Sequence, residues 1–406
     1  MKKQLILIIG FIIVLLVSGV SGLAMAQPPD DAWGPDNTWG HAPDQILVKF
    51  LPGTPEKVKA NIHQRQGGRV VDIIQGIDVH VIRIPEDPED KVGEKAVRKK
   101  IKAYQGETGV EFVEPDFIAK AIFTPNDPSF GKQWGMVKIQ APEAWNITQG
   151  SSVVKIAILD TGIDQNHEDL AAKIVVNKNF TRNPTVDDKY GHGTHVAGIA
   201  AAITNNGKGV AGVGFNSKLM NVKVLSDTGT GYYSWIANGI IWAANNGAKV
   251  INLSLGGSSS SDTLKNAVNY AWNKGCVLVA AAGNDNTSAP LYPAYYDNCI
   301  AVAATDQNDT KASFSNYGVW VDVAAPGVSI YSTMPNHRNQ IGILNYGVLS
   351  GTSMSTPHVT GMAALIFAAK TGWTNTEVRT RITSSIDSTS GFTTTIGRVN
   401  AFKAVQ

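Results

Sequence analysis

The feature that most constrains the fold is a series of continuous apolar runs that alternate with helical segments between residues 153 and 370. Apolar runs without a period of two indicate strands that are buried on both faces. We therefore predict an α/β fold with a mainly parallel sheet and helices on both faces. Active sites in such sheets lie at the carboxyl ends of the strands. The predicted strands are 153–159, 219–224, 250–253, 277–282 and 300–303, and the predicted helices are 194–203, 234–245, 262–274 and 356–370.

The overall composition excludes several classes of protein and partner. The chain is 43% hydrophobic and 17% charged, which is typical of a folded, soluble protein rather than a disordered one. A net charge of +2 gives no reason to expect nucleic acid or an acidic membrane surface as a partner. The length of 406 residues predicts two or three structural parts.

The N-terminus has the pattern of a secretory signal peptide, which we assign to residues 1–26. Lys2 and Lys3 precede an apolar run at 5–17, and Ala24-Met25-Ala26 forms a small-residue cleavage signal. An uncleaved membrane anchor is the alternative, although the apolar run is short for a spanning helix. We expect a secreted, extracellular protein that has no membrane contact after the signal is removed.

Two parts are predicted between the signal and the sheet. Residues 27–44 are rich in Pro, Gly, Asp and Trp, which indicates a linker. Residues 45–122 form a charged unit whose strand and helix patterns follow one another in a βαββαβ order, as in a small ferredoxin-like α+β domain. Nothing in this unit is typical of a catalytic site. The sheet-containing domain then occupies residues 123–406.

The two cysteines, Cys276 and Cys299, each come just before an apolar strand pattern. If the two strands are neighbours, the thiols could form a disulfide, which an exported protein permits. Two buried free thiols are an equally good interpretation. Neither cysteine is placed like a nucleophile.

Three residues could supply acid, base and nucleophile. Asp160 closes an apolar strand, His192 lies near a predicted helix start, and Ser353 stands at or just before the start of a helix whose first turn would contain Pro357. We expect the helix dipole to lower the pKa of His192, which favours the neutral imidazole that a general base needs. His195 is predicted to lie beneath the site, because no further zinc ligands are found at suitable spacing.

Each of these three residues also has an ordinary explanation. An Asp before Gly is common in turns, and a Ser before a helix is often an N-cap. Their order along the chain, Asp then His then Ser, is the order found in subtilisins. Three segments resemble the subtilisin-family signatures, namely Asp160-Thr-Gly-Ile-Asp164, His192-Gly-Thr-His195-Val-Ala-Gly198 and Gly351-Thr-Ser-Met354 followed by Pro357-His358-Val359.

Within this family, residues 124–404 most resemble the thermitase-like branch, and the charged unit is similar to the family's propeptide. The resemblance implies a serine endopeptidase with Ser353 as nucleophile, His192 as base and Asp160 as orienting carboxylate. It also implies that Asn284 and the Ser353 N–H bind the oxyanion. We expect the precursor to cleave itself between about 120 and 125, and the propeptide to act as folding aid and intramolecular inhibitor.

Protein and peptide substrates are expected to bind by backbone pairing. An extended peptide could add as a strand between Ser254-Leu255-Gly256 on one side and Gly229-Thr230-Gly231 on the other. The family resemblance lines the specificity pocket with Ser254–Gly256 and with Ala281, Ala282 and Gly283, and places Leu291 toward its floor. Such a pocket predicts broad specificity with an apolar preference.

The resemblance further implies a structural calcium ion. Asp127, Asp169 and Asn206 match the side-chain ligands of the family's tight site, and its oxygen-only chemistry suits calcium. A surface carboxylate and an Asn-Gly turn are the alternative. A second thermitase-type site is disfavoured, because Asn179, Arg182 and Pro184 stand where acidic ligands are expected. The backbone carbonyls that would complete the first site belong to Ile203, Lys208 and Val210.

Three functional hypotheses follow. The first is a broad, apolar-leaning endopeptidase that acts as a monomer. The second is a processing protease of narrow specificity, which the sequence does not separate from the first. The third, an inactive binding pseudoprotease, is disfavoured because Asn284 accompanies all three triad residues.

Overall fold

A computed structural model describes residues 40–85, 94–119, 123–392 and 396–406. The chain divides into two compact units, Met1–Ala119 and Lys120–Gln406. The predicted signal peptide, residues 27–39 of the predicted linker and residues 120–122 of the predicted cleavage region lie outside the described residues. In the part of the chain that is described, no helix is both long enough and apolar enough to cross a membrane.

The N-terminal unit has the predicted βαββαβ order. Its four strands form one antiparallel sheet in the order β2-β3-β1-β4, which is the ferredoxin-like arrangement. The elements are β1 (His41–Phe50), α1 (Glu56–Arg65), β2 (Arg69–Ile74), β3 (Val79–Arg83), α2 (Glu94–Gln105) and β4 (Val110–Phe117).

A small core holds this unit together. Val97, Ile101 and Tyr104 of α2 are buried at helical spacing, and they join Ile46 and Val48 of β1 in one apolar cluster.

Strand β1 begins earlier than the sequence predicted. Residues 41–44 were assigned to the linker, but the strand starts at His41, which pairs with Phe117 of β4. This cross-strand pairing has no local sequence signature, because the partner lies on a distant part of the chain.

The C-terminal unit is a nine-stranded sheet with helices on both faces, which confirms the predicted α/β class. Its order is β14-β15-β11-β10-β9-β8-β5-β7-β6, and only the β14–β15 pair is antiparallel. A separate hairpin joins β12 to β13. The elements are α3 (Trp134–Lys138), α4 (Ala141–Trp145), β5 (Lys155–Asp160), β6 (Ile174–Asn179), α5 (His192–Ala201), β7 (Lys218–Lys223), α6 (Tyr233–Asn245), β8 (Ala248–Leu253), α7 (Asp262–Asn273), β9 (Val277–Ala281), β10 (Cys299–Thr305), β11 (Val323–Pro326), β12 (Ile330–Thr333), β13 (Tyr346–Leu349), α8 (Thr352–Ala369), α9 (Asn375–Ser384), β14 (Ile386–Asp387), β15 (Arg398–Val399) and α10 (Ala401–Val405).

The central strands are apolar throughout because both of their faces are buried. In β5, Ile156 and Ile158 enter the cluster that includes α5 and α8 residues. Ala157 and Leu159 enter the opposite cluster, which includes α6 and α7 residues. Because successive side chains of a strand point to opposite faces, a strand between two helix layers needs an unbroken apolar sequence.

The two cysteines are free and buried. They belong to the same apolar cluster. Burial raises the pKa of Cys276 to about 11 and also raises the pKa of Cys299. Both thiols are therefore protonated and unreactive at neutral pH. Their free state in the structure favours the free-thiol interpretation over the disulfide.

Candidate active site

Asp160 and His192 meet at the carboxyl edge of the sheet. Asp160 is the last residue of β5 and is fully buried, and His192 is the first residue of α5. His192 Nδ1 lies 2.7 Å from Asp160 Oδ1. A Cβ atom at Gly193 would come within 3.0 Å of the Asp160 Cβ and 2.1 Å of the Gly162 carbonyl, so only glycine permits this close approach.

The pKa of His192 is set by competing effects. Burial lowers it, but the charge of Asp160 and the hydrogen bond to it act in the opposite direction, as does the charge of Asp188. The net result is a raised pKa. The sequence-based expectation of a lowered pKa was therefore wrong in direction, because it considered the helix dipole without the neighbouring carboxylates.

Asp188, which the sequence analysis missed, joins the segments on either side of this pair. Its fully buried carboxylate accepts the Thr161 hydroxyl at 2.9 Å, the Gly191 N–H at 2.7 Å and the Thr194 hydroxyl at 2.7 Å. Thr161 follows Asp160, and the other two residues flank His192. Asp188 thus ties the start of α5 to the end of β5.

Ser353 is the second residue of α8, so it lies at a helix start as predicted. The helix begins at Thr352, so Pro357 is an interior residue, whereas the sequence predicted it in the first turn. A proline lacks the N–H that would bond to the carbonyl four residues earlier, which here belongs to Ser353. The Ser254 hydroxyl donates to that carbonyl instead, at 2.8 Å.

The side chain of Ser353 points toward β8. Its hydroxyl donates to the Ser254 carbonyl at 3.2 Å, and among the described residues it has no hydrogen bond to His192. Ser254 follows β8, which pairs directly with β5, the strand that ends at Asp160. Ser353 therefore lies at the same edge of the sheet as Asp160 and His192.

Asn284 presents its amide group to the same region. It follows β9 by three residues and is exposed. Its Oδ1 accepts the Thr352 N–H at 2.8 Å and the Thr352 hydroxyl at 3.0 Å. Because its oxygen is held in this way, the Nδ2 donor group is left facing outward beside the Ser353 turn.

An open cleft of about 370 Å³ brings His192 together with the predicted substrate-binding segments. Gly229, Thr230 and Gly231 line one side and Ser254, Leu255 and Gly256 line the other. The predicted pocket residues also converge. Leu291 Cδ2 would lie 2.5 Å from a Cβ at Gly256 and 3.1 Å from a Cβ at Gly283, which places it against both segments. Ala281 and Ala282, at the end of β9, are buried beside Gly283.

His195 has a structural setting. It is fully buried, and its Nε2 lies 3.0 Å from the Ile330 carbonyl and 3.2 Å from the Gly347 carbonyl. Burial lowers the pKa of His195 to about 3. It is therefore a neutral side chain that joins α5 to the β12–β13 hairpin.

The predicted calcium ligands are brought together away from this cleft. Asp127 Oδ1 accepts the Asn206 N–H at 3.2 Å, and Asp169 Oδ1 accepts the Asn206 Nδ2 at 2.8 Å. The Val210 N–H donates to Asp169 Oδ2 at 2.8 Å, and the Lys208 N–H donates to Asn206 Oδ1 at 2.8 Å. Ile203 joins the same cluster through its N–H, which bonds to the Asp169 carbonyl at 2.8 Å.

The charge of this cluster fits a cation. Asp127 and Asp169 are both buried, and neither has a Lys or Arg ion-pair partner among the described residues. Burial and the nearby charge of Asp169 raise the pKa of Asp127. Oxygen donors that repel one another in this way are stabilised by a hard divalent ion such as calcium. The disfavoured second site differs, because Asn179 bonds within its own loop to Thr181 and Asn183.

Two family models match the chain. The model described as the subtilase family matches residues 151–400. The model described as the fervidolysin N-terminal prodomain matches residues 28–116, a range that includes most of the segment predicted as a linker.

Curated relatives and a solved structure agree with these matches. Thermitase of Thermoactinomyces vulgaris is 54% identical over 288 residues, which are 70% of this chain and 100% of thermitase. A thermophilic serine proteinase of Bacillus sp. strain AK1 is 48% identical over 319 residues, covering 78% of this chain and 77% of the relative. The structure of a protease from Pseudoalteromonas arctica has a TM-score of 0.66 at 38% identity, covering 70% of this chain and 99% of that one.

Proposed function

The chain belongs to the subtilase family as a thermitase-like serine endopeptidase with a propeptide, and on this basis we propose that Asp160, His192 and Ser353 are its catalytic triad. The observation that carries the proposal is the 2.7 Å contact between His192 Nδ1 and buried Asp160, at the edge of the sheet where Ser353 also lies. An imidazole held through Nδ1 by a carboxylate directs Nε2 toward a nucleophile.

In the proposed mechanism, His192 moves the protons. Ser353 Oγ attacks the peptide carbonyl carbon while His192 Nε2 takes the hydroxyl proton. The imidazolium returns this proton to the leaving amine as the C–N bond breaks, and a serine ester remains. Water then attacks the ester with the same base assistance, which releases the acid and restores Ser353. Asp160 stays ionised and stabilises the imidazolium.

The Ser353 hydroxyl must change its partner for this reaction. In the structure it donates to the Ser254 carbonyl. Rotation about the Cα–Cβ bond would exchange this acceptor for His192 Nε2, since catalytic hydrogen bonds often form only when substrate is bound.

The oxyanion is proposed to be bound by Asn284 Nδ2 and by the backbone N–H of Ser353. The first N–H groups of a helix have no partner within the helix, and Ser353 lies in the first turn of α8. Anchoring of the Asn284 oxygen by Thr352 supports the proposal, because it orients the amide before the charge develops.

We further propose that extended peptides bind in the cleft between 229–231 and 254–256, with an apolar side chain in the pocket near Leu291. The supporting observation is the contact of Leu291 with both Gly256 and Gly283. Cleavage of a peptide library by the mature enzyme tests specificity. Enrichment of apolar residues before the cut bond is expected, and strict dependence on one longer sequence would favour the narrow processing protease instead.

Labelling by a fluorophosphonate probe tests the triad. The processed protein should be labelled at Ser353, and labelling should be lost in Ser353→Ala and strongly slowed in His192→Ala. Ser355→Ala is the matched control, because Ser355 is buried two residues away and donates to the Ala325 carbonyl. Labelling at another residue, or none in the folded processed protein, would contradict the proposal.

We also propose that residues 1–26 are a signal peptide, that the domain boundary falls near 122–123, and that the enzyme is secreted and processes itself between about 120 and 125. The propeptide family match supports this order of parts. Intact-mass measurement of purified precursors is the test. The parent protein should lose its propeptide, whereas Ser353→Ala should remain whole. Trimming of the purified variant, in the absence of other proteases, would argue against self-processing.

Calcium is the proposed structural cofactor of this enzyme. Asp127, Asp169 and Asn206 would supply side-chain oxygens, and the carbonyls of Ile203, Lys208 and Val210 would complete the shell. The support is the pair of buried carboxylates without a cationic partner in the described chain. The ion would balance their charge and join three chain segments.

A further inference from the structure

Two carboxylates and one imidazole, none of them in the proposed calcium site, converge from three separate segments. Asp164 follows β5, Asp187 precedes α5, and His337 lies between β12 and β13. One ligand atom of each residue lies within 4.8 Å of the other two. Two ligands on one zinc-sized ion are at most about 4.4 Å apart, so a small side-chain adjustment closes this set around an ion.

The orientation of His337 points to a cation. Its Nδ1 lies 3.2 Å from the Arg338 carbonyl, and a nitrogen bonded to a carbonyl carries the proton. With the Nδ1 proton on the Arg338 carbonyl, Nε2 faces Asp187 Oδ2 at 3.1 Å. Two electron-pair donors at this distance need a proton or a metal ion between them. A backbone carbonyl on the second nitrogen is also the usual support of a metal-binding histidine.

The charges around the cluster leave a negative surplus. Asp164 is fully buried, and its oxygens accept the Asn166 N–H at 2.9 Å and the Asn336 N–H at 2.8 Å. In the described ranges no Lys or Arg forms an ion pair with Asp164. Among the described residues, Lys189, at 2.6 Å from Asp187, is the one Lys or Arg paired with either of these two carboxylates.

We propose that Asp164, Asp187 and His337 form a site for a divalent transition metal ion of the zinc type. One imidazole nitrogen with two carboxylates suits zinc, cobalt or nickel, whereas calcium prefers a shell made of oxygen alone. Water would fill the remaining coordination positions.

The proposed site lies beside the segment that leads to His192, so a bound ion could stabilise that segment. The chain after His337 runs beside the segment that leads to α5, because the Gln340 N–H donates to the Lys189 carbonyl at 3.0 Å and the Ile341 N–H to the Tyr190 carbonyl at 3.1 Å. An ion held by Asp187 and His337 adds a third tie between these segments. Metal binding should therefore raise the stability of this region.

Cobalt titration of the full-length Ser353→Ala protein, kept saturated with calcium, tests the site. A visible d–d absorption band should reach its limit at one equivalent of Co²⁺ and disappear when Zn²⁺ is added. His337→Gln should weaken Co²⁺ binding at least tenfold, the lower end of what even an outer-shell change costs. This side chain is 25% exposed, so the variant should fold.

Two further variants make the test specific. Asp164→Asn should also weaken Co²⁺ binding at least tenfold. Lys189→Met removes the cation beside Asp187 but no ligand, so it should bind Co²⁺ at least as tightly as the parent. The proposal is overturned if the parent shows no band, if His337→Gln binds Co²⁺ equally well, or if Lys189→Met loses binding to the same extent as His337→Gln.

Discussion

At the scale of single residues, Asp188 has both a structural and an electrostatic role. The backbone N–H groups of Tyr190, Gly191 and Thr194 all point at its carboxylate, at 3.1, 2.7 and 2.9 Å. N–H groups only donate, so this arrangement fits the ionised form. The charge stabilises the imidazolium of His192 and contributes to its raised pKa.

We predict that Asp188→Asn moves the acidic limb of the kcat/KM profile to lower pH. The base must be neutral, so activity falls as pH drops through the pKa of His192. Removing the negative charge of Asp188 lowers that pKa. Turnover should also fall, because the ties to the start of α5 weaken.

The pH–rate profile is measured with a small chromogenic peptide, with Asp262→Asn as the control at an exposed carboxylate in the first turn of α7. The control should leave the limb in place. If Asp188→Asn lowers the maximum of kcat/KM but leaves the midpoint of the acidic limb unchanged, Asp188 acts only by positioning the start of α5.

Chain order carried the residue-level proposal of the triad, and the structure brings two of its members, Asp160 and His192, into contact. Asp160, His192 and Ser353 were proposed from their order and their places at strand ends and helix starts. Asp188 was missed because Asp-Asp-Lys-Tyr-Gly has the composition of an exposed turn. Its burial depends on closure of the loop over Thr161, which is a tertiary contact.

At the scale of elements, α8 carries a proline in its interior and the proposed nucleophile in its first turn. The missing N–H of Pro357 frees the Ser353 carbonyl for the Ser254 hydroxyl. Sequence patterns place a proline at a helix start, so they missed the extra turn that begins at Thr352. The central strands were easier to predict, because burial on both faces leaves an apolar run that needs no partner to be recognised.

A double-mutant cycle tests this exchange of partners. Ser254→Ala should destabilise the fold by about 1–3 kcal/mol, because the partly buried Ser353 carbonyl loses its donor and the buried Asn252 amide loses its acceptor. In Pro357→Ala, a backbone N–H can bond to that carbonyl directly. Ser254→Ala should therefore cost less in the Pro357→Ala background, with a coupling of about 1 kcal/mol. Strictly additive free energies of unfolding would contradict the exchange.

The N-terminal unit contains a buried pair of histidines between α1 and β3. His63 Nε2 lies 3.0 Å from His80 Nδ1, and His63 Nδ1 lies 3.0 Å from the Tyr104 hydroxyl. Burial, together with the neighbouring His80, lowers the pKa of His63 to about 4. The ring therefore stays neutral in the folded unit at pH values where an exposed histidine is charged.

We predict that this unit loses stability as the pH falls from about 6.5 to about 4. Between these two pH values, His63 binds a proton in the unfolded chain but not in the folded unit. Lowering the pH therefore favours unfolding. Amide exchange in full-length Ser353→Ala, corrected for intrinsic rates, should show falling protection of β1 and α2. His63→Gln should flatten this dependence relative to the control His41→Gln, whose ring lies 2.8 Å from the adjacent Ala42 carbonyl. An unchanged slope would contradict the prediction.

At the scale of the whole molecule, the proposed calcium site joins distant parts of the chain. Asp127 lies at the start of the C-terminal unit, Asp169 follows β5, and Asn206 follows α5. The residues of the proposed triad could be proposed from the sequence because each lies at the end of an element with its own local pattern. The proposed calcium site was accessible only through family resemblance, because its proposed ligands have no common local motif.

We predict that removing the charge of Asp127 has opposite effects on stability with and without calcium. When calcium is bound at 1,000 times its Kd, it should add about 4 kcal/mol to the free energy of unfolding, or roughly 8–16 °C in Tm. Without calcium, Asp127 and Asp169 are two buried charges that repel each other. Asp127→Asn should therefore lower Tm in excess calcium but leave it equal or higher after chelation.

Thermal unfolding is followed in Ser353→Ala to prevent autolysis, and in a His337→Gln background so that chelation reports on calcium alone. A variant that is less stable than its parent in both conditions would mean that Asp127 serves only its hydrogen bonds to Asn205 and Asn206.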